Sequence, residues 1–422
     1  MTSQTTRNAI QGSAPYLTFD GGRTRAVNTN DLLGITLSDG TKYTPSTNSS
    51  STTPISLPVA GQSFADISML VPTNTNSVEL STLIGPPNNF WGDDDGDANV
   101  TAIGTLSLSI VDKNNQAVSR NTVPEVCKAP YKVTLSSTNG TLTTSYGVPN
   151  RSNFSANSVI YYVNPKSAPV VCFARPNLQL GSGGYAGPAS VWNPVGGFIP
   201  QTSYGSNFPT TGSNGLYFDL DIGGNNQALS WSSVSQGGIT VNMSNSTATR
   251  VHVTLTGPAA TLSQHSSSNP GSIPKPTLPQ IFELVGRDSR GNDVLKYGFI
   301  LKKWFVNRGS MRDDYSNTLS WCNRIGYRMS RVRDLTNAVR GGWGWPISGA
   351  TPNSPGNWYQ RRIGAGFFTE WGGISSYSGS GFVGYYNYWT SDPNGSDQFV
   401  VKTGDGNIFP FGNGSNGLCA YP

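Results

Sequence analysis

The residues that could do chemistry in this sequence are two aspartates on one strand-like run and two isolated histidines. Asp219 and Asp221 alternate along LYFDLDIGG, so their carboxylates point to the same side of the predicted strand. Paired carboxylates are the catalytic groups of glycoside hydrolases. No polar second shell or cleft accompanies this pair in the sequence, which favours exposed polar positions on a half-buried strand. His252 and His265 are best interpreted as ordinary surface or core residues, so the sequence indicates neither a Ser-His-Asp triad nor a multi-histidine metal site.

No glycine-rich phosphate-binding motif is present either, so the sequence predicts a protein that is not an enzyme and has no cofactor. The densest charge is the acidic cluster Asp93-Asp94-Asp95-Gly96-Asp97. Closely spaced carboxylates on a glycine-containing loop suit calcium, which makes Asp93, Asp95 and Asp97 a weak calcium candidate. The glutamate that completes an EF-hand is missing, and a solvated acidic turn is the favoured interpretation.

Aromatic side chains are concentrated between Gly341 and Trp389, where thirteen Trp, Tyr and Phe residues alternate with glycines. About half of them can be buried, Trp389 among them, and the rest are expected on loops, where rings supply contact area for a receptor. Two neighbouring arginines could complete the contact. The predicted receptor-binding residues are Trp343, Trp345, Trp358, Tyr359, Arg361 and Arg362. The alternative is a loop that packs on itself.

Arginines also recur along the chain before this stretch, at Arg324, Arg328, Arg331, Arg333 and Arg340. Their spacing does not place all five on one helical face, and nearby aspartates neutralise part of the charge. A solvated face is the favoured interpretation. A net charge of +5 on 422 residues argues against nucleic acid as a partner.

Composition indicates the fold class. Only 12% of the residues are charged, and the chain contains 50 glycines and 28 prolines. Such a chain favours short strands joined by many turns, so we predict a mostly β protein. Alternating runs such as NSVIYYVN and RVHVTLTG are typical of antiparallel sandwiches.

The predicted domains are a β-sandwich at 10–180, an Ig-like β-sandwich at 185–268, a proline-rich linker at 269–280 and a C-terminal module at 281–422. The C-terminal module is expected to open with a hairpin turning at Asp288 to Asn292 and to continue with two helices. Tyr315 and Cys322 lie on one face of the first helix. The second is predicted to begin after the N-cap Ser330, to bury Val332, Leu335 and Val339, and to end at Gly341-Gly342.

Four widely spaced cysteines, Cys127, Cys172, Cys322 and Cys419, indicate export to an oxidising compartment. Three connectivities are possible, and the domain division favours Cys127 with Cys172 and Cys322 with Cys419. The N-terminus lacks an apolar signal-peptide core, as in a mature or recombinant fragment of an exported protein. No run of 18 apolar residues exists, so no membrane span is expected.

The segments SWCNRIGYRMSRVRDLTNA, YNYWTSD, QFVVKTGDGNIF and GLCAYP resemble a bacterial C-type-lectin-like domain. Together with the preceding β-domains, the chain is similar to the intimin and invasin family of enterobacterial adhesins. The resemblance implies an α+β lectin-like domain at 281–422, closed by a disulfide between Cys322 and Cys419. Calcium-dependent sugar-binding motifs are absent beyond Asp392-Pro393-Asn394, so the resemblance implies a protein receptor.

These observations predict a non-enzymatic adhesin, on the bacterial surface or secreted through the periplasm, that binds a host-cell receptor through its C-terminal domain. Alternatives are a carbohydrate-binding lectin, a phage-type receptor-binding module, or a secreted partner of another bacterial surface protein. The expected partners are therefore a host surface protein or glycan, with an outer-membrane transporter as a further possibility.

Overall fold

The computed structural model describes residues 12–341, 346–384, 386–410 and 413–422. The chain divides into two compact units, Met1–Ala168 and Pro169–Pro422. Strands predominate and every helix is short, which confirms the predicted mostly β class. No helix among the described residues has the length and apolar character needed to cross a membrane.

The first unit consists of short strands around one core. Its strands are β1 Tyr16–Leu17, β2 Ile35–Thr36, β3 Lys42–Tyr43, β4 Ile55–Ser56, β5 Ser77–Glu79, β6 Trp91–Gly92, β7 Thr101–Ile103, β8 Thr105–Val111, β9 Tyr131–Ser137, β10 Gly140–Thr143, β11 Arg151–Phe154 and β12 Asn157–Asn164. Its helices are α1 Thr29–Leu32 and α2 Leu80–Ile84. The largest sheet has the order β4-β12-β9-β8-β5, and a second has the order β11-β10-β7.

Alternation of side chains explains how these strands form the core. In β9, Tyr131, Val133 and Leu135 are buried, while the residues between them face outward. Period-two burial is what a strand with one face on a core requires. The ring of Tyr131 meets that of Phe64 edge to face, with 5.1 Å between centroids.

Within the described residues, the second unit contains nineteen strands, the longest helix and the larger core. Its strands are β13 Val170–Arg175, β14 Trp192–Asn193, β15 Gly197–Phe198, β16 Thr211–Ser213, β17 Tyr217–Gly223, β18 Ser230–Trp231, β19 Val234–Gln236, β20 Ile239–Ser244, β21 Arg250–Thr256, β22 Gln280–Arg287, β23 Asp293–Leu301, β24 Lys303–Asp313, β25 Arg328–Met329, β26 Val339–Arg340, β27 Ile347–Ser348, β28 Asn387–Asn394, β29 Asp397–Lys402, β30 Ile408–Phe409 and β31 Ser415–Tyr421. Its helices are α3 Leu262–Ser266, α4 Tyr315–Arg324, α5 Val332–Leu335 and α6 Phe367–Trp371.

Three larger sheets and the two-stranded pair β26-β27 organise the described part of this unit. One has the order β14-β15-β13-β17-β21-β20-β19, and a second has the order β18-β22-β23. The third has the order β16-β24-β31-β28-β29-β30, with β25 also paired to β31. The predicted hairpin is present as β22 and β23, and the carboxylate of Asp288 holds its turn by accepting hydrogen bonds from the Arg290 and Asn292 amides.

The two predicted helices are both present, but the second is shorter than expected. In α4, Asp314 caps the N-terminus, and Gly326 follows the helix at a φ of +87°. The second helix, α5, ends at Leu335 because the chain turns into strand β26. Ser330 does not cap it; its hydroxyl donates instead to the Leu418 carbonyl of β31.

The observed division of the chain differs from the predicted one. The boundary between the units lies between Ala168 and Pro169, so β13 belongs to the second unit although the sequence placed it in the first domain. Residues 211–213 of the predicted middle domain pair in parallel with 303–305 of the C-terminal module. The finer division at 185–268, 269–280 and 281–422 stays a prediction.

The proline-rich segment 269–280 packs along the second unit as an extended strap. Pro270, Ile273 and Pro276 are buried and their neighbours are mostly exposed. Burial of every third residue is the pattern expected for a polyproline-type helix lying on a surface, because that helix has three residues per turn. The Ile273 amide also donates to the Ile325 carbonyl at 3.0 Å. Ile273 therefore belongs to the core of the second unit, and the linker role of 269–280 stays a prediction.

Replacing Ile273 with alanine should lower the free energy of unfolding by about 2–4 kcal/mol, because a nearly inaccessible side chain leaves a cavity. Urea denaturation followed by tryptophan fluorescence measures this loss. The control is Ser272→Ala on the exposed side of the strap, with an expected change under about 0.5 kcal/mol. Equal effects of the two substitutions would contradict a stabilising role for the buried Ile273 side chain.

Candidate functional site

A disulfide ties the longest helix to the last strand. Cys322 of α4 and Cys419 of β31 are both fully buried and bonded to each other, with 5.5 Å between their Cα atoms. This is the bond that the lectin-like resemblance implies. Cys127 and Cys172 are disulfide-bonded as well, so none of the four cysteines, all within the described part of the chain, is free. Two disulfides fit an extracellular location.

Most of the aromatic stretch after Gly341 forms core and is not exposed. The buried side chains are Tyr359, Phe367, Phe368, Trp371, Tyr377, Phe382, Tyr388 and Trp389. Several of them pack ring against ring on α6, for example Trp371 edge to face against Tyr377 with 5.6 Å between centroids. The expectation that about half would be exposed is therefore wrong for the described residues. Glycines let the loops turn sharply enough to bring these rings inward.

Two of the predicted receptor-binding residues, Tyr359 and Arg361, are inaccessible to solvent. The Arg361 guanidinium lies 4.3 Å from the ring centroid of Trp192 and donates to the Asn177 carbonyl at 2.7 Å. Burial lowers the pKa of Arg361. The predicted exposure of both side chains is wrong, because segments remote in sequence supply a ring and a carbonyl that contact the arginine.

The other predicted contact residues divide between partly exposed and undescribed positions. Trp358 is half-buried and its indole Nε1 donates to the Gly184 carbonyl at 3.1 Å. Arg362 is also half-buried and donates to the Gln360 side chain at 3.2 Å. Trp343 and Trp345 lie outside the described residues. The strands on either side of them, β26 and β27, pair antiparallel.

One exposed aromatic residue beside a cation was not selected from the sequence. The Tyr386 side chain is 43% exposed, and the guanidinium carbon of Arg312 lies 5.6 Å from its ring centroid. Arg312 is held in place because it also donates to the Gly414 and Asn413 carbonyls. A cation over an exposed ring is a common contact in protein interfaces. The only signal in the sequence was the membership of Tyr386 in the aromatic stretch.

The aspartate pair on β17 is engaged in ion pairs. Asp221 accepts from Arg250 Nε at 3.0 Å, and Asp219 Oδ1 lies 2.8 Å from His252 Nδ1. Arg175 approaches Asp221 at 3.7 Å. Side chains of the neighbouring strands β13 and β21 thus engage both carboxylates, and neither aspartate is left free of a side-chain partner.

The acidic cluster of the first unit brings three carboxylates together. Asp93, Asp95 and Asp97 each place one oxygen within 4.8 Å of the others. Burial, together with the charges of Asp93 and Asp95, raises the pKa of Asp97. Asp95 already accepts a hydrogen bond from the Ser13 amide. The cluster supplies three oxygen donors, whereas calcium takes six to eight.

The arginine run does not form one basic surface. Arg328 and Lys303 both bind the buried carboxylate of Asp334, each at 2.6 Å. Burial alone would raise the pKa of Asp334, but the hydrogen bonds and charges of these two cations outweigh it and hold the pKa below its usual value. Arg324 and Arg340 each donate to a backbone carbonyl. These three arginines and Lys303 thus bind groups of the protein itself and stabilise the fold.

No protein-family model matches this chain, and no curated protein does so either. Among solved structures, it is similar to invasin, described as a bacterial integrin-binding protein, with 15% identity, a TM-score of 0.38 and coverage of 79% of this chain and 53% of invasin. It is also similar to the C-terminal 282-residue fragment of intimin, solved with the intimin-binding domain of the translocated intimin receptor. That match has 12% identity, a TM-score of 0.33 and coverage of 77% of this chain and 100% of the fragment. This chain spans about half the length of the invasin structure.

Proposed function

We propose that this protein is a non-enzymatic bacterial adhesin that binds a host-cell receptor through its C-terminal lectin-like part. The observation that carries the proposal is the buried disulfide between Cys322 of α4 and Cys419 of β31. The lectin-like resemblance implied this bond from the flanking sequence segments. Because α4 is bonded to β31, the chain between the two cysteines, residues 323–418, forms the body and loops of the module.

The proposed location is the bacterial surface or the extracellular space, reached through the periplasm. Two disulfides support it, because such bonds persist in oxidising compartments. The proposed partner is a host surface protein. A protein receptor is bound chiefly through a few rigid aromatic and arginine side chains surrounded by polar residues.

The proposed contact surface consists of Trp343, Trp345, Trp358 and Arg362. Trp358 and Arg362 are partly accessible, and both are held by hydrogen bonds that limit the entropy lost on binding. Tyr359, which follows Trp358 in the chain, belongs to the core and anchors the segment there. Tyr386 with Arg312 is a second exposed aromatic group of the same unit that a large receptor could also reach.

Replacing Trp343, Trp345 and Trp358 together with alanine should weaken binding of the whole protein to host cells at least about tenfold, because tryptophans dominate receptor contacts. Fluorescently labelled protein on host cells, by flow cytometry, measures the change. The matched control replaces three exposed apolar residues of the first unit, Ile103, Val123 and Tyr146, with alanine. Equal melting temperatures establish that each variant is folded.

Treating the cells with a surface proteinase identifies the receptor class. Loss of binding after proteinase treatment, together with loss in the tryptophan variant, supports a protein receptor at this surface. Binding that survives the proteinase and is competed by soluble sugars would contradict the protein receptor. No binding by the folded protein would contradict the adhesin proposal itself.

A further inference from the structure

A second, separate feature of the second unit is a cavity of about 190 Å³ next to strand β24. Four segments line it: residues 213–214, 258–265, 305–307 and 379–381. A cavity of roughly 150 Å³ accommodates a benzene ring, so this one has room for a group of about the size of a single ring. None of the predicted receptor-contact residues lines it.

The lining of this cavity includes a side-chain amide, that of Asn307, whose nitrogen has no hydrogen-bond partner within the described part of the chain. Asn307 is 8% exposed, and its Nδ2 has no hydrogen-bond partner among the described residues. Its Oδ1 accepts from the Gly309 amide at 3.0 Å, which fixes the orientation of the side chain. A Cβ atom on Gly381 would lie 3.7 Å from Nδ2, so the free N–H group lies beside the glycine-containing turn of the cavity wall. A buried donor without an acceptor is unfavourable and calls for a ligand or solvent oxygen.

Asn307 lies where the regular pairing of β24 with β31 ends. Asn307 is paired with Leu418, and the pairing of β24 with β31 then becomes irregular until Arg312. A β-bulge adds residues to one strand and redirects the side chains beside it, and bulges are frequent next to binding sites. The side chain of Asn307 thus lines the cavity directly before an irregular stretch of strand pairing.

The rest of the lining is uncharged. His265 also lines the cavity, and burial together with the neighbouring Arg308 lowers its pKa against the opposing effect of a hydrogen bond with the Asn307 backbone, which favours the neutral imidazole. Arg308 itself is paired with Asp313 at 3.2 Å and does not line the cavity. Ala260, Val306 and the 85% exposed Leu262 add an apolar wall and rim. The lining therefore suits a neutral group with one oxygen acceptor and an alkyl part.

We propose that this cavity binds the acetamido group of an N-acetylated hexosamine, with the carbonyl oxygen accepting from Asn307 Nδ2 and the methyl group packing on the apolar wall. The sugar hydroxyls, which both donate and accept, would match the backbone of residues 379–381 and the side chain of Asn214. The compact shape favours one ring over an extended peptide, which needs a groove. This site is independent of the proposed receptor contact and would give the protein a second mode of attachment.

The test uses the full chain with N-acetylglucosamine and N-acetylgalactosamine as probes, at millimolar concentrations, in saturation-transfer difference NMR. Glucose and glucosamine are the controls without an acetyl group, and N-acetyl-alanine methylamide is the peptide-type amide. The expected result is binding of an acetylated sugar with the strongest saturation on its acetyl methyl protons, and at least tenfold weaker binding of the controls.

Two variants locate the binding. Ala260→Trp fills the cavity without altering Asn307, and Asn307→Asp keeps an oxygen acceptor for the Gly309 amide but removes the N–H donor. Each should weaken sugar binding about tenfold or more. The matched control is Val195→Trp, at an exposed position of the same unit that does not line the cavity. If Asn307→Asp lowers the melting temperature strongly, Ala260→Trp alone decides the result.

Several outcomes would overturn the proposal. These are no saturation of either acetylated sugar, equal binding of glucose, or unchanged sugar binding in Ala260→Trp. Binding of the peptide-type amide without binding of the sugars would show that the cavity takes a peptide and would refute the sugar assignment. Failure of these tests leaves the host-receptor proposal unaffected, because that proposal is tested by the tryptophan variants on cells.

Discussion

Replacing Glu370 with alanine should lower the free energy of unfolding by about 3–5 kcal/mol, since several buried donors lose their acceptor at once. Glu370 of α6 is fully buried and accepts hydrogen bonds from the amide and hydroxyl groups of both Thr210 and Thr211. The Gly364 amide donates to it as well, at 2.7 Å. One carboxylate thus joins the start of β16 to the loop before α6. Urea denaturation measures the loss.

The control for this prediction is Glu283→Ala on the exposed face of β22. Glu283 accepts from the Tyr204 hydroxyl and lies 3.5 Å from Lys296 at the surface. Exposed pairs contribute little, so the expected loss is under about 1 kcal/mol. A Glu370→Ala variant as stable as Glu283→Ala would contradict the role given to the buried carboxylate.

The pH dependence supplies an independent measurement on the same residue. Burial raises the pKa of Glu370, although its hydrogen-bond donors act in the opposite direction. At a pH between the unfolded and the folded pKa, Glu370 therefore still holds its proton in the folded state and has lost it in the unfolded state. The corresponding stability is fully present below the unfolded pKa of a glutamate and is lost as the pH rises through the higher folded pKa. Glu370→Gln cannot titrate, so this part of the slope should be absent from its pH profile.

Removing the disulfide by Cys322→Ala together with Cys419→Ala should cost about 2–5 kcal/mol. The bond joins residues 97 positions apart, and closing a loop of this length restricts the unfolded chain strongly. Urea denaturation of the double variant, without reductant, measures the change. Both sulfur atoms are buried, so a small packing loss adds to the effect.

The two single variants are the controls for the disulfide. Each should lose about as much stability as the double variant, because either substitution breaks the same bond. A double variant whose loss equals the sum of the two single losses would show that the cysteines act through separate packing contacts. A loss below about 1 kcal/mol would contradict a stabilising role.

The elements that could be predicted from the sequence are those with local signals. The β22–β23 hairpin follows from alternation on both sides of a polar turn, and α4 follows from helical spacing between Asp314 and Gly326. The second helix was predicted too long, because the pairing of β26 with β27 overrides the helical spacing of Val339. The spacing of apolar residues within a segment does not show which other segment that segment will pair with as a strand.

The candidate site was harder to predict because burial depends on distant contacts. Arg361 is enclosed by Trp192 and by the Asn177 carbonyl, which lie more than 160 residues earlier in the chain. An arginine beside aromatic residues indicates a surface contact by composition, and only the fold shows that its neighbours close over it. Asn307 carries no local signal in the sequence, because its burial beside the cavity depends on segments distant along the chain.

The place of β31 in its sheet has a consequence for the order of events during folding. This strand lies between β24 and β28, also pairs with β25 and carries Cys419. A chain that is synthesised or exported from its N-terminus presents β24, β25 and β28 before β31 emerges. Their sheet edges stay unpaired during that interval and the thiol of Cys322 stays available. The first unit has its own core and can fold before β31 emerges. We therefore expect the two units to become ordered in succession, with the second unit complete only when β31 pairs.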